Sequence, residues 1–211
     1  MATTLLFTQA KGGAGKTMLL TQLAALWLGQ GRRVGIVDLD PQRSASGWAA
    51  MRAADPDARP LSVLIESADW RASSDLREAQ AKADVVLVDT AGHAEALRLT
   101  VMSGADAAIV PCQPSMADVW ATAATLQTMR SGRLPFAVVL NRMPPRGRTA
   151  DAAVAALEEA GAPLAETRVG TRAAFADAFM QGAGATEIAA RTRAAEEIRA
   201  LAAEIGRLVP V

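Results

Sequence analysis

The stretch Lys11-Gly-Gly-Ala-Gly-Lys-Thr17 decides the fold. It follows a short apolar run, Thr3–Gln9, and leads into Thr17–Leu28, where apolar residues recur at helical spacing. A strand, a glycine-rich turn and a helix in this order form a cradle for phosphate. The N–H groups of the turn converge on the anion, and the helix N-terminus adds partial positive charge. We therefore predict a phosphate-binding loop here, rather than a turn that only caps a helix.

The residue types in the loop favour a nucleotide as its ligand. Lys16 is predicted to contact the β- and γ-phosphates, and the Thr17 hydroxyl is predicted to bind Mg²⁺. The other predicted nucleotide-binding residues of the loop are Gly12, Gly13, Ala14, Gly15 and Met18. Lys11 stands where the common pattern has glycine. A second lysine at this point needs an anion, either the nucleotide of its own subunit or one held by a facing subunit.

The lysine content of the chain also favours this loop as a functional site. The 211 residues include 22 basic and 22 acidic side chains, and only Lys11, Lys16 and Lys82 are lysines. A coding bias toward arginine explains the scarcity, and lysines kept against that bias mark positions where a compact ammonium is needed. The zero net charge argues against a protein that coats nucleic acid, although dimerisation can concentrate arginines that the monomer total conceals.

The single cysteine and the hydropathy of the chain exclude other classes. Cys112 alone cannot form a disulfide framework, a Cys-rich zinc site or a cysteine-ligated cluster within the chain. No stretch approaches the roughly 18 uninterrupted apolar residues of a membrane span. The N-terminus lacks the charged start and apolar core of a signal peptide. We therefore expect a cytoplasmic protein.

Apolar runs and helical segments alternate along the chain. Strands are predicted at Thr3–Gln9, Val34–Asp38, Leu61–Ile65, Val85–Asp89, Ala107–Val110 and Phe136–Leu140. Helices are predicted at Thr17–Leu28, Trp48–Ala54, Trp70–Lys82, Ala94–Ser103, Met116–Arg130 and Thr149–Ala160. Continuous apolar strands separated by helices predict one α/β domain over residues 1–211, with a doubly wound, mostly parallel sheet and helices on both faces.

We expect this domain to have two regions. A nucleotide-binding core spans about residues 1–145, and residues 146–211 are rich in helix. The tail from Thr171 to Leu208 is predicted to form two helices interrupted at Gly182–Gly184. In such sheets ligands bind beyond the carboxyl ends of the strands, so the residues that follow each strand are the site candidates.

Three further segments follow strands of the predicted sheet. They are Asp38-Leu-Asp40-Pro-Gln-Arg-Ser-Ala-Ser46, Val85-Val-Leu-Val-Asp-Thr-Ala-Gly92 and Val110-Pro-Cys-Gln-Pro-Ser-Met-Ala-Asp-Val-Trp-Ala121. Together with the loop, they resemble the ParA/MinD family of deviant Walker-type P-loop ATPases, whose loop carries a signature lysine. The likeness is greatest to small plasmid-type ParA partition proteins without an N-terminal helix-turn-helix. It covers about the first 145 residues.

The resemblance implies a catalytic role for three residues. Lys11 would reach across an ATP-bound homodimer to the partner's phosphates, while Lys16 holds the phosphates of its own subunit. Asp40 would orient or activate the attacking water. Phosphoryl transfer is mostly positioning and neutralisation of oxygen charge, which two lysines and a metal supply.

The resemblance implies Mg²⁺ as the metal. Asp89 would hold it through water beside Thr17, and Asp38 would lie near the metal and its waters. Capping the next helix is the alternative for each carboxylate.

The nucleotide base is predicted from Asn141-Arg-Met-Pro144. Related GTPases end this strand with Asn-Lys-x-Asp, whose Asp binds guanine, and here Pro144 occupies that position. ATP is therefore favoured over GTP, with Asn141 and Arg142 on the adenine side. A plain surface arginine is the alternative for Arg142.

The resemblance also implies a cycle and its partners. ParA proteins bind DNA non-specifically as ATP dimers and release it on hydrolysis, which is slow until a ParB-like, centromere-binding or adaptor protein stimulates it. The protein would then lie on the nucleoid when ATP is bound. The candidate DNA-binding residues are Arg146, Arg148, Arg168, Arg172, Arg191 and Arg193. Solvated helix surface, paired with acids such as Glu196 and Glu197, is the alternative.

Two other functions stay open, together with the nature of the cargo. A MinD-like membrane-cycling ATPase is disfavoured because Ala194–Val211 has few large apolar anchors, so we expect no membrane partner. A metabolic or cofactor-maturation ATPase would need a substrate pocket in the last third of the chain. A plasmid, a chromosome, a chemoreceptor cluster and a microcompartment all remain candidate cargoes.

Overall fold

The structure, a computed structural model, describes residues 2–92 and 100–211. The predicted helix Ala94–Ser103 lies mostly outside these residues. The strands are β1 Thr3–Phe7, β2 Val34–Asp38, β3 Val63–Glu66, β4 Val85–Asp89, β5 Ala107–Cys112 and β6 Phe136–Leu140. The helices are α1 Lys16–Gly29, α2 Ser44–Ala54, α3 Ala72–Lys82, α4 Met116–Ser131, α5 Arg148–Glu159, α6 Ala173–Phe179, α7 Ala185–Ile188 and α8 Arg193–Leu208. A single 3₁₀ turn, Asp69–Arg71, precedes α3.

The strands form one parallel sheet in the order β3-β2-β4-β1-β5-β6. β2 and β4 are buried along their whole length, which explains their continuous runs of β-branched and apolar residues. β1 lies between β4 and β5, so the loop that follows it has a strand end on each side. The predicted α/β class and its parallel sheet are confirmed.

Each face of the sheet has its own hydrophobic core. Leu5 and Phe7 point toward the face covered by α1, α2 and the C-terminal helices, where Trp48 and Ile198 are buried. Leu6 points to the opposite face, which α3, α4 and α5 cover. The alternation along β1 follows from the two-residue period of a strand. Helices on both faces thus leave the carboxyl edge of the sheet for the loops.

The C-terminal tail differs from the prediction. It forms three helices, α6, α7 and α8, instead of two. The first break lies where expected, at Gly182, whose φ is +63°. The second follows Ala189, which leaves helical geometry before the extended Thr192 begins α8. The helical composition of the tail hid this second break because neither glycine nor proline marks it.

The strongly amphipathic helix α8 packs on its own domain. Ile198, Leu201 and Ile205 lie on its buried face and join the core beside α1. Within residues 2–92 and 100–211, no helix is long and apolar enough to cross a bilayer. The apolar face of α8 is therefore used within the fold, as its few large anchors predicted.

Candidate nucleotide-binding site

The glycine-rich loop after β1 has the backbone of an anion cradle. Gly13 and Gly15 adopt φ of +78° and +99°, in the left-handed region that glycine favours. A Cβ at Gly15 would lie 2.1 Å from the side-chain nitrogen of Asn141, so only glycine fits this position. Helix α1 begins at Lys16 and has no acidic residue in its first turn. The free N–H groups of that turn are therefore open to a negative ligand.

Two amides from distant strand ends hold the outer side of the loop. Gln113, which follows β5, donates through Nε2 to the carbonyl of Gly13 at 2.7 Å. Asn141, which follows β6, donates through Nδ2 to the carbonyl of Ala14 at 2.8 Å. These bonds turn the loop carbonyls outward, so the N–H groups remain available to a ligand. Sequence reasoning gave Gln113 no role, and its place directly after a strand was the signal that could have shown one.

A buried polar network anchors the start of the loop to α4. Gln9 donates through Nε2 to the carbonyl of Pro111 at 3.0 Å and to the hydroxyl of Thr122 at 2.9 Å. Its Oε1 accepts a hydrogen bond from Thr125 at 3.0 Å. The sequence analysis assigned Gln9 only to a strand. Its buried amide ties the phosphate loop to the helix that begins at Met116.

The two lysines of the loop point to different places. Lys16 is almost fully buried and lines a cavity above the loop. The Lys11 ammonium instead forms an ion pair with Asp118 on α4, with Nζ 2.6 Å from Oδ2. The Asp118 side chain is buried and also accepts a hydrogen bond from Ser115. Lys11 thus has a partner within its own chain, at the edge of the site.

The carboxylate of Asp89 provides a fitting place for Mg²⁺. It is fully buried at the end of β4, and Thr17 donates its hydroxyl proton to Oδ2 at 2.6 Å. The other oxygen, Oδ1, has no hydrogen-bond partner among the described residues. Burial raises the pKa of Asp89 to about 7, and the Thr17 hydroxyl and Lys16 oppose that shift. A buried oxygen without a partner beside a threonine hydroxyl fits a hydrated cation.

This titration should make the nucleotide-free protein less stable as the pH rises from about 4 toward neutrality. The pKa of Asp89 is raised from the ordinary 3.8 to about 7, so its contribution to stability is complete below about pH 4, falls as the pH rises and is lost once the pH reaches about 7. Melting temperatures of the wild type and Asp89→Asn, measured in chelator between about pH 4 and pH 7, test this. The wild type is expected to lose more stability than the variant over that range. Parallel curves would contradict the assignment.

Asp38 shapes the loop that follows β2. Its Oδ1 accepts the backbone N–H of Asp40 at 3.1 Å. Its Oδ2 accepts the backbone N–H and the hydroxyl of Ser46 at 3.0 and 2.8 Å. These are the contacts of the capping alternative, at the start of α2, and the place of Asp38 near the metal and its waters stays a prediction. The loop after β2 presents Asp40 to the cavity.

The cavity above the loop has a volume of about 670 Å³, within the range of nucleotide-sized ligand sites. The phosphate loop, Asp40 and Ser44 form one end. The segment after β6 and helix α6 form the other end, which includes Arg142, one of the two residues predicted on the adenine side. The residues of this second end are Arg142, Gly170, Thr171, Arg172, Phe175, Ala176, Phe179 and Met180. Phe175 and Phe179 are four residues apart on α6, and the sequence analysis assigned no function to either.

Asn141 and Arg142 occupy different parts of the site. Arg142 is exposed, lines the cavity and has a φ of +54°. Asn141 is fully buried, and its side chain supports the phosphate loop and accepts the N–H of Arg142 at 2.9 Å. Contact with adenine therefore stays a prediction for both residues. The structure shows in addition that Asn141 supports the phosphate loop.

The six arginines predicted to bind DNA fall into two groups. Arg172 and Arg193 both pair with Glu197, at 2.6 and 3.8 Å, as the surface alternative expected. Arg172 also lines the cavity. The others are exposed and form no ion pair with a described carboxylate; they are Arg146, Arg148, Arg168 and Arg191. A bridge between Met143 and Gly170 brings the segments that carry Arg146 and Arg168 together beside β6.

Fold and loop define the class: this is a P-loop nucleotide-binding protein whose loop opens with an additional lysine. The chain belongs to the CobQ/CobB/MinD/ParA nucleotide-binding domain family, whose model matches residues 5–184. The resemblance found in the sequence is thereby confirmed, and the ParA and MinD members of this family are ATPases.

Individual relatives extend over nearly the whole chain. The chain is 33% identical over 211 residues to maintenance of carboxysome distribution protein A of Halothiobacillus neapolitanus, covering 97% of this chain and 96% of that protein. Apo McdA from Cyanothece superposes with a TM-score of 0.80 at 17% identity, covering 98% and 100%. MinD from Pyrococcus horikoshii, solved with Mg-ADP, gives 0.74 at 18% identity, covering 99% and 97%. At these identities the two structures show the shared fold.

Proposed function

We propose that this protein is an ATPase that dimerises on ATP-Mg²⁺, binds DNA non-specifically as a dimer and positions a cargo along it. One observation carries the proposal: the loop holds a second lysine, Lys11, whose ammonium pairs with Asp118 outside the nucleotide cavity. A lysine that its own nucleotide does not need is free to exchange Asp118 for a phosphate of a facing subunit. ATP bound to a monomer then supplies the anion that draws Lys11 of a second subunit into the dimer.

The hydrolytic step rests on the cavity end formed by the loop. Lys16 is placed to neutralise the β- and γ-phosphates, and Thr17 and Asp89 would hold Mg²⁺, the Asp through water. The bound metal supplies charge neutralisation of the phosphate oxygens. Asp40 lines the same end of the cavity. Its backbone N–H donates to Asp38, and its Oδ1 accepts the N–H of Gln42 at 2.9 Å, so two local hydrogen bonds hold it in place. Its role is to orient or activate the attacking water.

ATP is the proposed nucleotide because the other end of the cavity lacks the guanine acceptor. With the phosphates on the loop, the base lies toward α6, against Phe179 and Met180, with Arg142 beside it. Pro144 has no side-chain group that accepts a hydrogen bond from guanine. The base contacts on this side are apolar and cationic.

DNA is the proposed surface on which the dimer acts, and the four unpaired arginines are its candidate contacts. Their contacts would not depend on the DNA sequence, since exposed guanidinium groups neutralise backbone phosphates. Dimerisation doubles the footprint, which reconciles a neutral chain with polyanion binding. Co-sedimentation with DNA in ATP and in ADP tests the function. Equal DNA binding in both nucleotides would contradict it.

Replacement of the arginines beside β6 should weaken this binding. Arg146→Ala/Arg168→Ala is expected to lower the DNA affinity of the ATP-bound protein about tenfold and to reduce its salt dependence by about two counterions. The matched control is Arg77→Ala/Arg207→Ala, which removes the same charge from α3 and from α8 beside the start of β6. A control that loses as much affinity would show that total charge, not this surface, matters.

The cargo we favour is a microcompartment of the carboxysome type. The support is the near full-length similarity to a protein named for carboxysome distribution. Plasmid partition is the second candidate, supported by the ParA-like DLDPQ and VPxQPS segments. In either case a ParB-like or adaptor protein would stimulate hydrolysis at the cargo. Fluorescent fusions that follow the cargo in cells with and without this gene separate the two.

A further inference from the structure

A fully buried arginine, Arg52 at the end of α2, lies well away from the phosphate loop. Its guanidinium forms a two-pronged ion pair with Glu187 on α7, at 2.8 and 3.0 Å, and its side chain is 1% exposed. It also donates to the carbonyls of Gly182 at 3.0 Å and Arg59 at 2.6 Å. The ring of Trp48 lies 5.4 Å from the guanidinium carbon. Every side of this charge is thus occupied.

The Arg52–Glu187 pair reaches one turn, residues 182–185, which leads into α7: Arg52 donates to the carbonyl of Gly182, and Glu187 accepts the N–H of Gly184 at 2.9 Å. Trp48 donates its indole N–H to the carbonyl of Ala183 at 3.1 Å. From the opposite side, Gln22 on α1 accepts the N–H of Ala185 at 2.7 Å. A Cβ at Gly182 would lie 2.2 Å from the backbone nitrogen of Arg52, so the turn packs directly on the end of α2. Two helices therefore pin this turn.

Arg52 is fully buried while the Glu187 side chain is 29% exposed, and an ion pair with a buried partner is a poor device for stability alone. Desolvation offsets much of its Coulomb energy, and well-packed apolar side chains stabilise a core as well or better. What such a pair adds is a defined geometry, because its hydrogen bonds are satisfied in only one arrangement. The geometry defined here is the position of the turn, and hence of α6, relative to α2.

Both helices belong to the walls of the nucleotide cavity. The segment leading into α2 carries Asp40 and Ser44, and α6 carries Phe175 and Phe179. We propose that Arg52 and Glu187 are positioning residues that hold α6 at the distance from α2 at which the nucleotide base fits between α6 and the loop. This inference rests on the proposed binding of ATP in that cavity. The Arg52–Glu187 pair would affect binding of the nucleotide base and not of the phosphates, since the phosphates bind to the loop.

This role predicts different effects on binding of the nucleotide base and binding of the phosphates. We call the Arg52–Glu187 ion pair the clamp. If the clamp is weakened, α6 loses its fixed position, and the affinity for ATP falls while the affinity for inorganic tripolyphosphate stays the same. Preference for ATP over GTP also falls, because the wall that contacts the base is less defined. If the pair only stabilised the fold, its replacement would change neither the ratio of ATP to tripolyphosphate affinity nor the ratio of ATP to GTP affinity at a temperature well below melting.

The experiment compares Arg52→Lys and Glu187→Gln with the wild type by calorimetric titration of ATP, GTP and tripolyphosphate in Mg²⁺. Leu157→Ala is the control, because Leu157 is buried in the core on the opposite face of the sheet, and its truncation lowers stability without touching the clamp. Glu187→Gln keeps the shape of the side chain, which guards against loss of folding in the arginine variant.

We expect both clamp variants to bind ATP roughly fivefold more weakly, with tripolyphosphate within twofold of the wild type. Leu157→Ala should bind ATP like the wild type at a lower melting temperature. Equal ATP affinity in the clamp variants, or an equal loss for tripolyphosphate, would overturn the positioning role and leave the proposed function intact. A wild type that does not bind ATP would overturn the proposed function itself.

Discussion

Replacement of Asp40 by alanine is expected to lower ATP turnover by two to three orders of magnitude, roughly the contribution of a general base. Asp40 lines the cavity at its phosphate end, while Lys16 and the loop backbone provide the binding contacts. ATP affinity should therefore stay within about threefold of the wild type, since the residues that bind the phosphates are unchanged. Initial rates of phosphate release and titration with a fluorescent ATP analogue measure the two quantities.

The control for Asp40 comes from a similar turn elsewhere in the chain. Asp55, just after α2, accepts the N–H of Asp57 through Oδ1 at 3.0 Å, as Asp40 accepts that of Gln42. Asp55→Ala removes the same kind of local hydrogen bond away from the cavity and should hydrolyse ATP normally. Turnover in Asp40→Ala close to that of Asp55→Ala would rule out a catalytic role for Asp40.

Replacement of Lys11 by alanine should separate nucleotide binding from turnover. Lys11 pairs with Asp118 and does not line the nucleotide cavity, whereas Lys16 does. The ATP affinity of the monomer is therefore expected to change by less than about threefold. Turnover should fall by roughly a hundredfold or more, the loss seen when one transition-state charge contact is removed. The same titration and phosphate-release assays apply.

Lys82 supplies the matched control. It is a lysine on the surface of α3 that pairs with Glu78 at 2.7 Å, four residues earlier. Lys82→Ala should leave both affinity and turnover unchanged, because exposed pairs of this kind contribute little. A large loss of ATP affinity in Lys11→Ala would place Lys11 on its own nucleotide and remove the reason for a dimer.

The sequence predicted the features that depend on local pattern. Continuous β-branched runs such as Val34–Asp38 identify buried parallel strands, and the loop glycines identify the phosphate cradle. Because parallel strands place their carboxyl ends at one edge, it followed that Asp40 and Asp89 would lie near that loop. In the structure Asp40 lines the cavity above the loop, and Asp89 accepts a hydrogen bond from Thr17.

The features that were missed depend on contacts between distant parts of the chain. The bonds from Gln113 and Asn141 to the loop join residues at least 100 positions apart, and no local pattern encodes them. Helix α6 lines the cavity, and the turn after it is bonded to Arg52 of α2, a contact invisible in the composition of the tail.

The role of Asp38 illustrates what a strand-end acid leaves open. Its place directly before Leu39 and Asp40 fits either a metal site or a helix cap, and both chemistries use the same carboxylate. The contacts of the cap, from the N–H and hydroxyl of Ser46 to Oδ2, appear only in the structure. Strand-end acids are thus a reliable signal for the edge that carries the site, and a weaker one for the role of each acid.

The central claim, that ATP switches this chain from monomer to dimer through Lys11, is tested most directly by the mass in solution. Light scattering coupled to size exclusion should be run on Asp40→Ala, in which hydrolysis cannot reverse the state, and on Lys11→Ala/Asp40→Ala, each with ATP-Mg²⁺ and with ADP. We expect Asp40→Ala to reach twice the 21.9 kDa chain mass in ATP only, and the double variant to remain at 21.9 kDa in both nucleotides. A dimer that forms without Lys11, or an Asp40→Ala protein that stays monomeric in ATP, would contradict the claim.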